Sequence, residues 1–190
     1  MVEKLIQHIN SIVTLNEEEK AIIKDLARER TILRRQMLHR AGDISHSTAF
    51  VVSGCLRSYA VDHNGFEHII QFAAENWWIS DMYSFTKNEP SELNIDALLD
   101  TEVLLLNRSC QLSIFDRIPK MERYFRILTE NALAASNLRT LDYLSLPAKT
   151  RYQKFCDFYP SLINSIPQKY IASYIGITPE FLSKLRSERA

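Results

Sequence analysis

The most informative stretch of this sequence is Gln168-Lys-Tyr-Ile-Ala-Ser-Tyr-Ile-Gly-Ile-Thr-Pro-Glu-Phe-Leu-Ser-Lys-Leu-Arg186. Its pattern predicts two short helices joined by a tight turn. The aliphatic side chains on the faces that must meet are Ile171, Ile175, Ile177, Leu182 and Leu185. Ala172 stands where the two helices come closest, and Gly176 stands at the turn, where a left-handed backbone favours glycine. Thr178 can cap the second helix and Pro179 can occupy its first position, so the stretch predicts a helix-turn-helix.

A local basic surface accompanies this motif, although lysine plus arginine and aspartate plus glutamate number 23 each in the whole chain. The cations in or beside the two helices are Lys169, Lys184, Arg186 and Arg189. In a helix-turn-helix the N-terminal part of the second helix faces the base edges of the DNA major groove. This predicts that Glu180, Ser183 and Lys184 contact bases.

The surrounding basic and hydroxyl side chains are expected to contact DNA phosphates. The complete set of predicted DNA-binding residues is Lys169, Ser173, Thr178, Glu180, Ser183, Lys184 and Arg186. The alternative is a helical hairpin of the same shape that has a structural role and does not bind DNA.

Composition restricts the class of protein. With 46% hydrophobic and 24% charged residues, the chain of 190 residues has enough apolar side chains for a buried core. It shows no secretory signal and no apolar run near the roughly 18 residues that a membrane span needs, so we expect a cytoplasmic protein without a membrane partner. Cys55, Cys110 and Cys156 are odd in number and widely spaced, which favours buried thiols over disulfides or a zinc or iron–sulfur site.

The predicted secondary structure changes from helix to strand and back to helix. Apolar residues at helical spacing predict a first helix, and Asn16 is suited to cap a second helix that continues to about Arg30. Short β-rich runs then alternate with turn residues, as in a barrel or sandwich. These runs cover residues 31–38, 49–53, 55–61, 68–72, 94–98 and 103–107. Asn64-Gly65 predicts a type I′ hairpin turn between the third and fourth runs.

A single long helix is predicted after Pro119 and is ended by Pro147. Its apolar seam, recurring every three or four residues, consists of Met121, Phe125, Leu128, Ala132, Ala135, Leu138 and Leu141. A seam this long usually needs a partner helix, and small residues permit close approach. The residues predicted to form a homodimer interface are Phe125, Leu128, Ala132, Ala135 and Leu138. The alternative is a helix that packs on its own barrel.

Barrel, long helix and C-terminal helix-turn-helix, in this order, resemble the Crp/Fnr family of transcription regulators over nearly the whole chain. The segments that carry the resemblance are Arg40-Ala-Gly-Asp43, Phe50-Val-Val-Ser-Gly-Cys-Leu-Arg57, Asp62-His-Asn-Gly65, Ala97-Leu-Leu-Asp-Thr-Glu-Val103 and Ile166-Pro-Gln-Lys169. The second helix of the motif also resembles the Fnr-type pattern Glu-x-x-Ser-Arg, here Glu180-Phe-Leu-Ser183-Lys184. Lysine in place of arginine keeps the charge but lacks the bidentate fork.

The resemblance also implies a cradle for a cyclic nucleotide, which this sequence does not match. Family members that bind cyclic nucleotides hold the phosphate with a Gly-Glu-Leu segment and an Arg-Ser or Arg-Thr pair, whereas this chain has Ile79-Ser80-Asp81-Met82 and Ser91-Glu92. The arginine is missing and Glu92 would repel a phosphate, so a response to cyclic AMP is not expected. The N-terminal cysteine cluster of oxygen-sensing members is missing too, so an iron–sulfur cluster is not expected.

Another small-molecule effector, of unknown identity, is expected in the barrel. The residues predicted to line its pocket are Phe72, Trp78, Ser80, Asp81, Met82, Tyr83, Ser91 and Glu92. The alternative for the aromatic members is that they only pack in the core. His63 and His68 suggest no metal site because no third ligand accompanies them. No catalytic motif is present, so neither an enzyme nor a cofactor is predicted.

The sequence thus predicts an α+β protein in three parts. N-terminal helices and an antiparallel β-barrel of the double-stranded β-helix or jelly-roll kind, similar to a cyclic-nucleotide-binding domain, occupy residues 1–118. A dimerisation helix occupies residues 119–146 and a helix-turn-helix domain occupies residues 147–190. The predicted function is that of a dimeric DNA-binding transcription regulator of the Crp/Fnr type, with RNA polymerase as a further expected partner. The alternative is a cyclic-nucleotide-fold module that binds a ligand or a protein without specific DNA binding.

Overall fold

The computed structural model describes residues 1–187, in which eight strands form two antiparallel sheets. The strands are β1 (Arg28–Ile32), β2 (Met37–His39), β3 (Ser47–Ser53), β4 (Leu56–Val61), β5 (Glu67–Ala73), β6 (Trp78–Ile79), β7 (Asn94–Ala97) and β8 (Thr101–Asn107). The first sheet has the order β1-β8-β3-β6 and the second has the order β2-β7-β4-β5. The predicted α+β class with an antiparallel barrel is confirmed.

Eight helices lie within the same described residues. They are α1 (Val2–Asn10), α2 (Glu17–Leu26), α3 (Met82–Lys87), α4 (Arg108–Arg117), α5 (Lys120–Ser145), α6 (Ala148–Phe158), α7 (Gln168–Ile175) and α8 (Pro179–Ser187). None of the helices described in residues 1–187 is both long and apolar enough to cross a membrane.

Alternating side chains on the strands build apolar layers on both faces of each sheet. Ala49 and Val51 of β3 face the second sheet, where they pack with residues such as Leu56 and Ile95. Their neighbour Phe50 points the other way, toward the N-terminal helices. Successive side chains of a strand point to opposite faces, so a strand buried on both faces has a continuous apolar sequence.

The outer face of the first sheet is covered by α1, α2, α4 and the beginning of α5. Asn16 caps α2 in a reciprocal arrangement with Glu19, as its position in the sequence predicts. The predicted extent of α2 is wrong, because the helix ends at Leu26. Residues 28–32 instead form β1, whose backbone pairs with β8, and this tertiary pairing outweighs local helical preference.

The outer face of the second sheet is covered by α6, α7 and α8. Phe72 of β5 lies at the centre of this contact, with its ring centroid 5.2 Å from that of Tyr174 and 6.0 Å from that of Phe155. The helix-turn-helix region therefore packs directly on the barrel of its own chain.

The hairpin between β4 and β5 is confirmed, but its predicted type I′ turn is wrong. Such a turn needs two central residues with positive φ, whereas Gly65 has a φ of 84° and Asn64 is not among the residues with positive φ. The Gly65 N–H donates to the Asp62 carbonyl oxygen, and the Asp62 side chain accepts from the N–H groups of Asn64 and Phe66. The carboxylate of Asp62 thus stabilises a longer loop.

Candidate nucleic-acid interface

The turn between α7 and α8 has the geometry that the sequence predicts. Gly176 adopts the left-handed conformation with φ 70° and ψ 47°, and its N–H donates to the carbonyl oxygens of Ala172 and Ser173. Ala172 is completely buried, as are Ile171 and Leu182. Two helices of eight and nine residues therefore meet through small and aliphatic side chains.

The N-terminus of α8 is capped by a hydroxyl group. The Thr178 Oγ1 atom accepts a hydrogen bond from the Phe181 N–H at 3.2 Å, and Pro179 is the first residue of the helix, as predicted. Hydrogen bonds from the backbone N–H of Glu180 itself and from the Thr178 hydroxyl lower the pKa of the Glu180 side chain. At neutral pH this exposed group is an ionised acceptor at the beginning of the helix.

One face of α8 is exposed to solvent in the part of the chain that the structure describes. Leu182 and Leu185 are buried against the protein, whereas Glu180, Ser183 and Lys184 are exposed to solvent. This alternation follows the helical period of 3.6 residues. The three residues predicted to contact bases therefore lie together on one accessible surface, and the barrel does not cover it.

The face of α7 that carries Ser173 has a different environment. The Ser173 hydroxyl donates to the Glu67 carbonyl oxygen at 2.7 Å and accepts from the Ile69 N–H at 3.0 Å. A side chain predicted to contact a DNA phosphate is thus bonded to β5 in this arrangement. Lys169, on the same helix, is exposed, and its Nζ atom lies 4.8 Å from the centroid of the Tyr170 ring.

The remaining predicted DNA-binding residues lie at the edge of this surface. Thr178, which caps α8, is exposed, and Arg186 is half-buried in the last turn of this helix. Arg189, which contributes to the predicted basic surface, lies outside the described residues.

A buried arginine connects the barrel to α7. The Arg57 guanidinium, only 3% exposed, donates to both Asp96 carboxylate oxygens at 2.7 and 2.9 Å and to Glu67 at 2.5 Å. Its Cζ atom lies 4.1 Å from the ring centroid of Tyr59 and 3.9 Å from that of Tyr170. Burial alone would lower the pKa of Arg57, but the bonds to the two carboxylates raise it. Sequence analysis did not identify this cluster, because its members are far apart in the chain.

The residues predicted to line an effector pocket do not form one. Phe72 lies on the outer face of the second sheet, against Phe155 and Tyr174. Trp78 lies on the other side of the barrel, where its Nε1 atom donates to the Tyr124 hydroxyl at 2.9 Å. The two aromatic side chains therefore pack against helices on opposite outer faces, and the prediction that they share a barrel pocket is wrong.

Within residues 1–187, one pair of the predicted pocket residues is joined by a hydrogen bond between side chains. The Ser91 hydroxyl donates to Asp81 Oδ2 at 2.6 Å, and both residues are buried. Ser80 is instead 3.2 Å from the Ser45 hydroxyl. The exposed members of the set are Met82, Tyr83 and Glu92.

The polar cluster around Asp81 does not fit the phosphate of a cyclic nucleotide. Asp81 Oδ1 accepts from the N–H groups of Tyr83 and Ser84 at 2.9 and 3.1 Å, so the free backbone donors of α3 are already bound to a carboxylate. Backbone N–H groups at a helix N-terminus are what a bound phosphate would use. A phosphate here would meet a negative charge in place of those donors.

Within residues 1–187, two cavities lie near the functional elements. A cavity of about 210 Å³ opens between the sheets, and its polar lining includes Arg30, His39 and His46. A larger groove of about 400 Å³ lies outside the barrel, between α5, α6 and α7. Neither contains any residue of the predicted effector pocket.

The predicted dimer seam divides into two halves. Phe125 and Leu128 are half-buried against the chain's own core, and the Phe125 ring contacts Trp78 at a centroid distance of 5.4 Å. Ala132, Ala135 and Leu138 are exposed. The alternative of a helix packed on its own barrel therefore holds for the first half of α5, while the seam residues of the second half remain exposed within residues 1–187.

Cysteine and histidine side chains show ordinary structural environments. Cys55 is fully buried, which raises the pKa of its thiol to about 12. His68 lies 2.9 Å from the Asp62 carboxylate in the exposed hairpin. Within residues 1–187 no group of three or more His, Cys, Asp or Glu side chains is arranged to hold a metal ion.

Comparison with known proteins assigns the fold. The cyclic nucleotide-binding domain family matches residues 29–117, whereas no curated protein sequence matches the chain significantly. FixK2 from Bradyrhizobium japonicum is 20% identical, with a TM-score of 0.75 over 85% of this chain and 83% of its own. The catabolite activator protein from Thermus thermophilus is 20% identical, with a TM-score of 0.60 over 95% and 85% of the two chains.

A third solved structure carries the family name itself. A protein from Eubacterium rectale described as a Crp/Fnr transcriptional regulator is 17% identical, with a TM-score of 0.69 over 92% of this chain and 83% of its own. The similarity thus extends from the barrel through the long helix to the helix-turn-helix. Residues 29–117 therefore match the cyclic nucleotide-binding domain family, and over most of its length the chain has the fold of the solved Crp/Fnr transcription regulators.

Proposed function

We propose that this protein is a DNA-binding transcription regulator of the Crp/Fnr type. The observation that carries the proposal is the free face of α8, where Glu180, Ser183 and Lys184 are exposed while Leu182 and Leu185 anchor the helix. A recognition helix must be held by its apolar side and must leave its polar side free to enter the major groove.

The side chains on this face have the chemistry of base recognition. Lys184 can donate to the O6 and N7 atoms of guanine, and Glu180 can accept from the amino group of cytosine. Lys169 and Arg186 lie at the periphery, where cations neutralise phosphates. Thr178 supplies a further hydroxyl at the N-terminus of the helix.

A homodimer formed through α5 would place two such helices on one DNA duplex. The second half of α5 exposes apolar side chains, including Leu133, Leu138, Leu141 and Leu144, of which 53–78% of the surface is accessible. Pairing these surfaces would remove them from water. Two recognition helices about 34 Å apart would then bind the two half-sites of a pseudo-palindrome, which are one helical turn of DNA apart.

The proposal includes a cytoplasmic location, no catalytic activity and contact with RNA polymerase at regulated promoters. An effector of the barrel remains part of the proposal, but the bonds of Asp81 to α3 argue against a cyclic nucleotide.

A second function is favoured by one observation. Ser173 connects α7 to β5 through two hydrogen bonds. Such docking is expected if the helical pair is a fixed part of a ligand-binding or protein-binding module and does not bind DNA. This candidate predicts no DNA binding at any salt concentration.

An electrophoretic mobility shift on fragments of the DNA upstream of the protein's own coding sequence tests the proposal. We expect a shifted complex whose affinity falls steeply as salt is raised, because phosphate contacts release counterions. Lys184→Ala should weaken binding about tenfold or more. Lys87→Ala, which removes the same charge from the exposed surface of α3, is the matched control and should bind as the parent protein does. Absence of any complex would favour the second function.

A further inference from the structure

The groove between α5, α6 and α7 has the size and lining of a small-molecule site. Its volume is about 400 Å³, within the range of sites that bind drug-sized ligands. Its apolar wall is formed by Leu138, Tyr143, Phe155, Phe158, Tyr159 and Tyr174. We name this site the interdomain groove, because α5 belongs to the long helix and α7 to the helix-turn-helix.

Cations are in excess in the interdomain groove. Arg139, Arg151 and Lys154 line it together with Asp142 and Asp157, which leaves one positive charge in excess. Asp142 is already paired with Lys154 at 2.7 Å. Within residues 1–187 neither arginine forms an ion pair with a carboxylate; their hydrogen bonds go to backbone carbonyl oxygens.

The two arginines differ in how firmly they are held. Arg151 donates to the Leu146 and Ile175 carbonyl oxygens at 2.8 and 2.9 Å. Its guanidinium is therefore held by the backbone at the C-terminal ends of α5 and α7. Arg139 has one long hydrogen bond, 3.4 Å, to the Ile69 carbonyl oxygen, and lies 4.8 Å from the centroid of the Tyr174 ring. Arg139 therefore has N–H donors available for a ligand, and it lies beside the aromatic wall of the groove.

The geometry points to the interdomain groove as a binding site for a small aromatic anion, with Arg139 as the partner of its carboxylate or sulfonate. The rings of the wall would contact the apolar body of the ligand, and the guanidinium would form a charge-assisted hydrogen bond to the anionic group. This site is separate from the cavity between the sheets.

A ligand in this groove would contact both the long helix α5 and helix α7 of the helix-turn-helix. Tyr143, in the groove wall, lies against Gly176 at the turn of the helix-turn-helix. A ligand there would change the packing of α5 against α7 and hence the orientation of α8. This consequence for DNA rests on the proposed function, whereas ligand binding itself does not.

The binding test uses two fluorescent probes with nearly the same aromatic skeleton. One is 1-anilinonaphthalene-8-sulfonate, which is an anion, and the other is N-phenyl-1-naphthylamine, which lacks the sulfonate and is neutral. Each is titrated into the folded full-length chain. We expect saturable binding of one anionic probe per chain, about tenfold tighter than binding of the neutral probe, because only the anion pairs with Arg139.

Variants of α5 locate the site. Arg139→Gln should lower the affinity for the sulfonate probe about tenfold and leave the affinity for the neutral probe unchanged, while Arg139→Lys should restore most of the difference. Arg126→Gln is the matched control, because this exposed arginine on the same helix pairs with Glu130 and does not line the groove. A general loosening of the fold would change the binding of both probes.

Three outcomes would overturn the inference. The two probes could bind equally, Arg139→Gln could have no effect on the sulfonate probe, or binding could vanish at protein concentrations where light scattering shows a dimer. The last result would mean that a second copy of the chain covers the groove. Because no DNA is present in this titration, failure of DNA binding would appear in the mobility shift and would leave these results unchanged.

Discussion

The ring of Tyr143, near the end of α5, lies directly against Gly176 at the turn between α7 and α8. A side chain at position 176 would overlap that ring, and the backbone there has a φ of 70°, which non-glycine residues rarely adopt. Glycine is therefore required for two independent reasons, one local and one tertiary. The contact also joins the long helix mechanically to the candidate recognition helix.

Alanine at position 176 should destabilise the protein more than alanine at another glycine of similar φ. Gly65 has a φ of 84° but nothing within 4 Å of an added Cβ, so Gly65→Ala measures backbone strain alone, about 1 kcal/mol. Gly176→Ala adds the overlap with Tyr143, a further cost of about 1–3 kcal/mol. Urea unfolding of both variants measures the difference. Equal losses would show that the Tyr143 ring moves aside freely.

Replacing Ser173 by alanine should loosen the docking of α7 on the barrel. The variant leaves the Ile69 N–H and the Glu67 carbonyl without their partner, at a cost of about 1–3 kcal/mol. Faster hydrogen exchange of the Ile69 amide is the expected signal. Ser187→Ala removes a hydroxyl with one local bond at the end of α8 and serves as the control. Unchanged exchange combined with weaker DNA binding would instead assign Ser173 to a phosphate contact.

Loss of the Arg57 charge should be among the most damaging single changes to the fold. Arg57→Met leaves the buried carboxylate of Asp96 and the half-buried carboxylate of Glu67 without their cation and should cost about 3–5 kcal/mol of unfolding free energy. Breaking the exposed Arg126–Glu130 pair with Arg126→Gln should cost about 0.5 kcal/mol or less. Chemical denaturation of the two variants compares them. Similar losses would mean that Arg57 is dispensable.

A charge on the exposed half of α5 should prevent self-association. Ala132→Asp places a carboxylate in the predicted seam, where a dimer would have to bury it. Ser109→Asp introduces the same charge in the exposed first turn of α4, away from the seam, and is the matched control. Light scattering should report a monomer for the first variant and a dimer for the second. A dimer in both would place the interface elsewhere.

Cyclic AMP is not expected to stabilise the protein. A ligand that binds only the folded state raises Tm, and above its Kd the stabilisation grows with the logarithm of ligand concentration. The carboxylate of Asp81 occupies the backbone donors that a phosphate needs. Thermal unfolding in millimolar cyclic AMP should therefore match unfolding in the same concentration of 5′-AMP. A Tm that rises steadily with cyclic AMP concentration, and not with 5′-AMP, would refute this interpretation.

Much of the architecture was predictable because its determinants are local. The capping pair of Asn16 and Glu19, the turn glycine Gly176 and the cap Thr178 each act within about four residues of chain. The order of helix, barrel, long helix and helix-turn-helix follows from changes in apolar period. The same reasoning places Glu180, Ser183 and Lys184 on the free face of α8.

The faces of the sheets could not be assigned from sequence. Phe72 and Trp78 are apolar residues on strands buried on both sides, and a period of two does not say which side is the barrel interior. The predicted effector pocket therefore combined residues from opposite outer faces. The predicted turn type of the β4–β5 hairpin was wrong for a related reason. Hydrogen bonds to the Asp62 carboxylate stabilise a longer loop than the type I′ turn that Asn64-Gly65 favours.

The amino-acid sequence by itself determined the cap of α2, the long helix α5, the helix-turn-helix with its cap and the surface that α8 presents, since these depend on neighbouring residues. Tertiary structure alone decided that Ser173 bonds to β5, that Arg57 lies beneath Tyr170 and that Arg139 faces an aromatic groove. Each of these contacts joins residues that are 35 to more than 100 positions apart. Their geometry is fixed only when the barrel and the C-terminal helices pack together and exclude water from the surface between them.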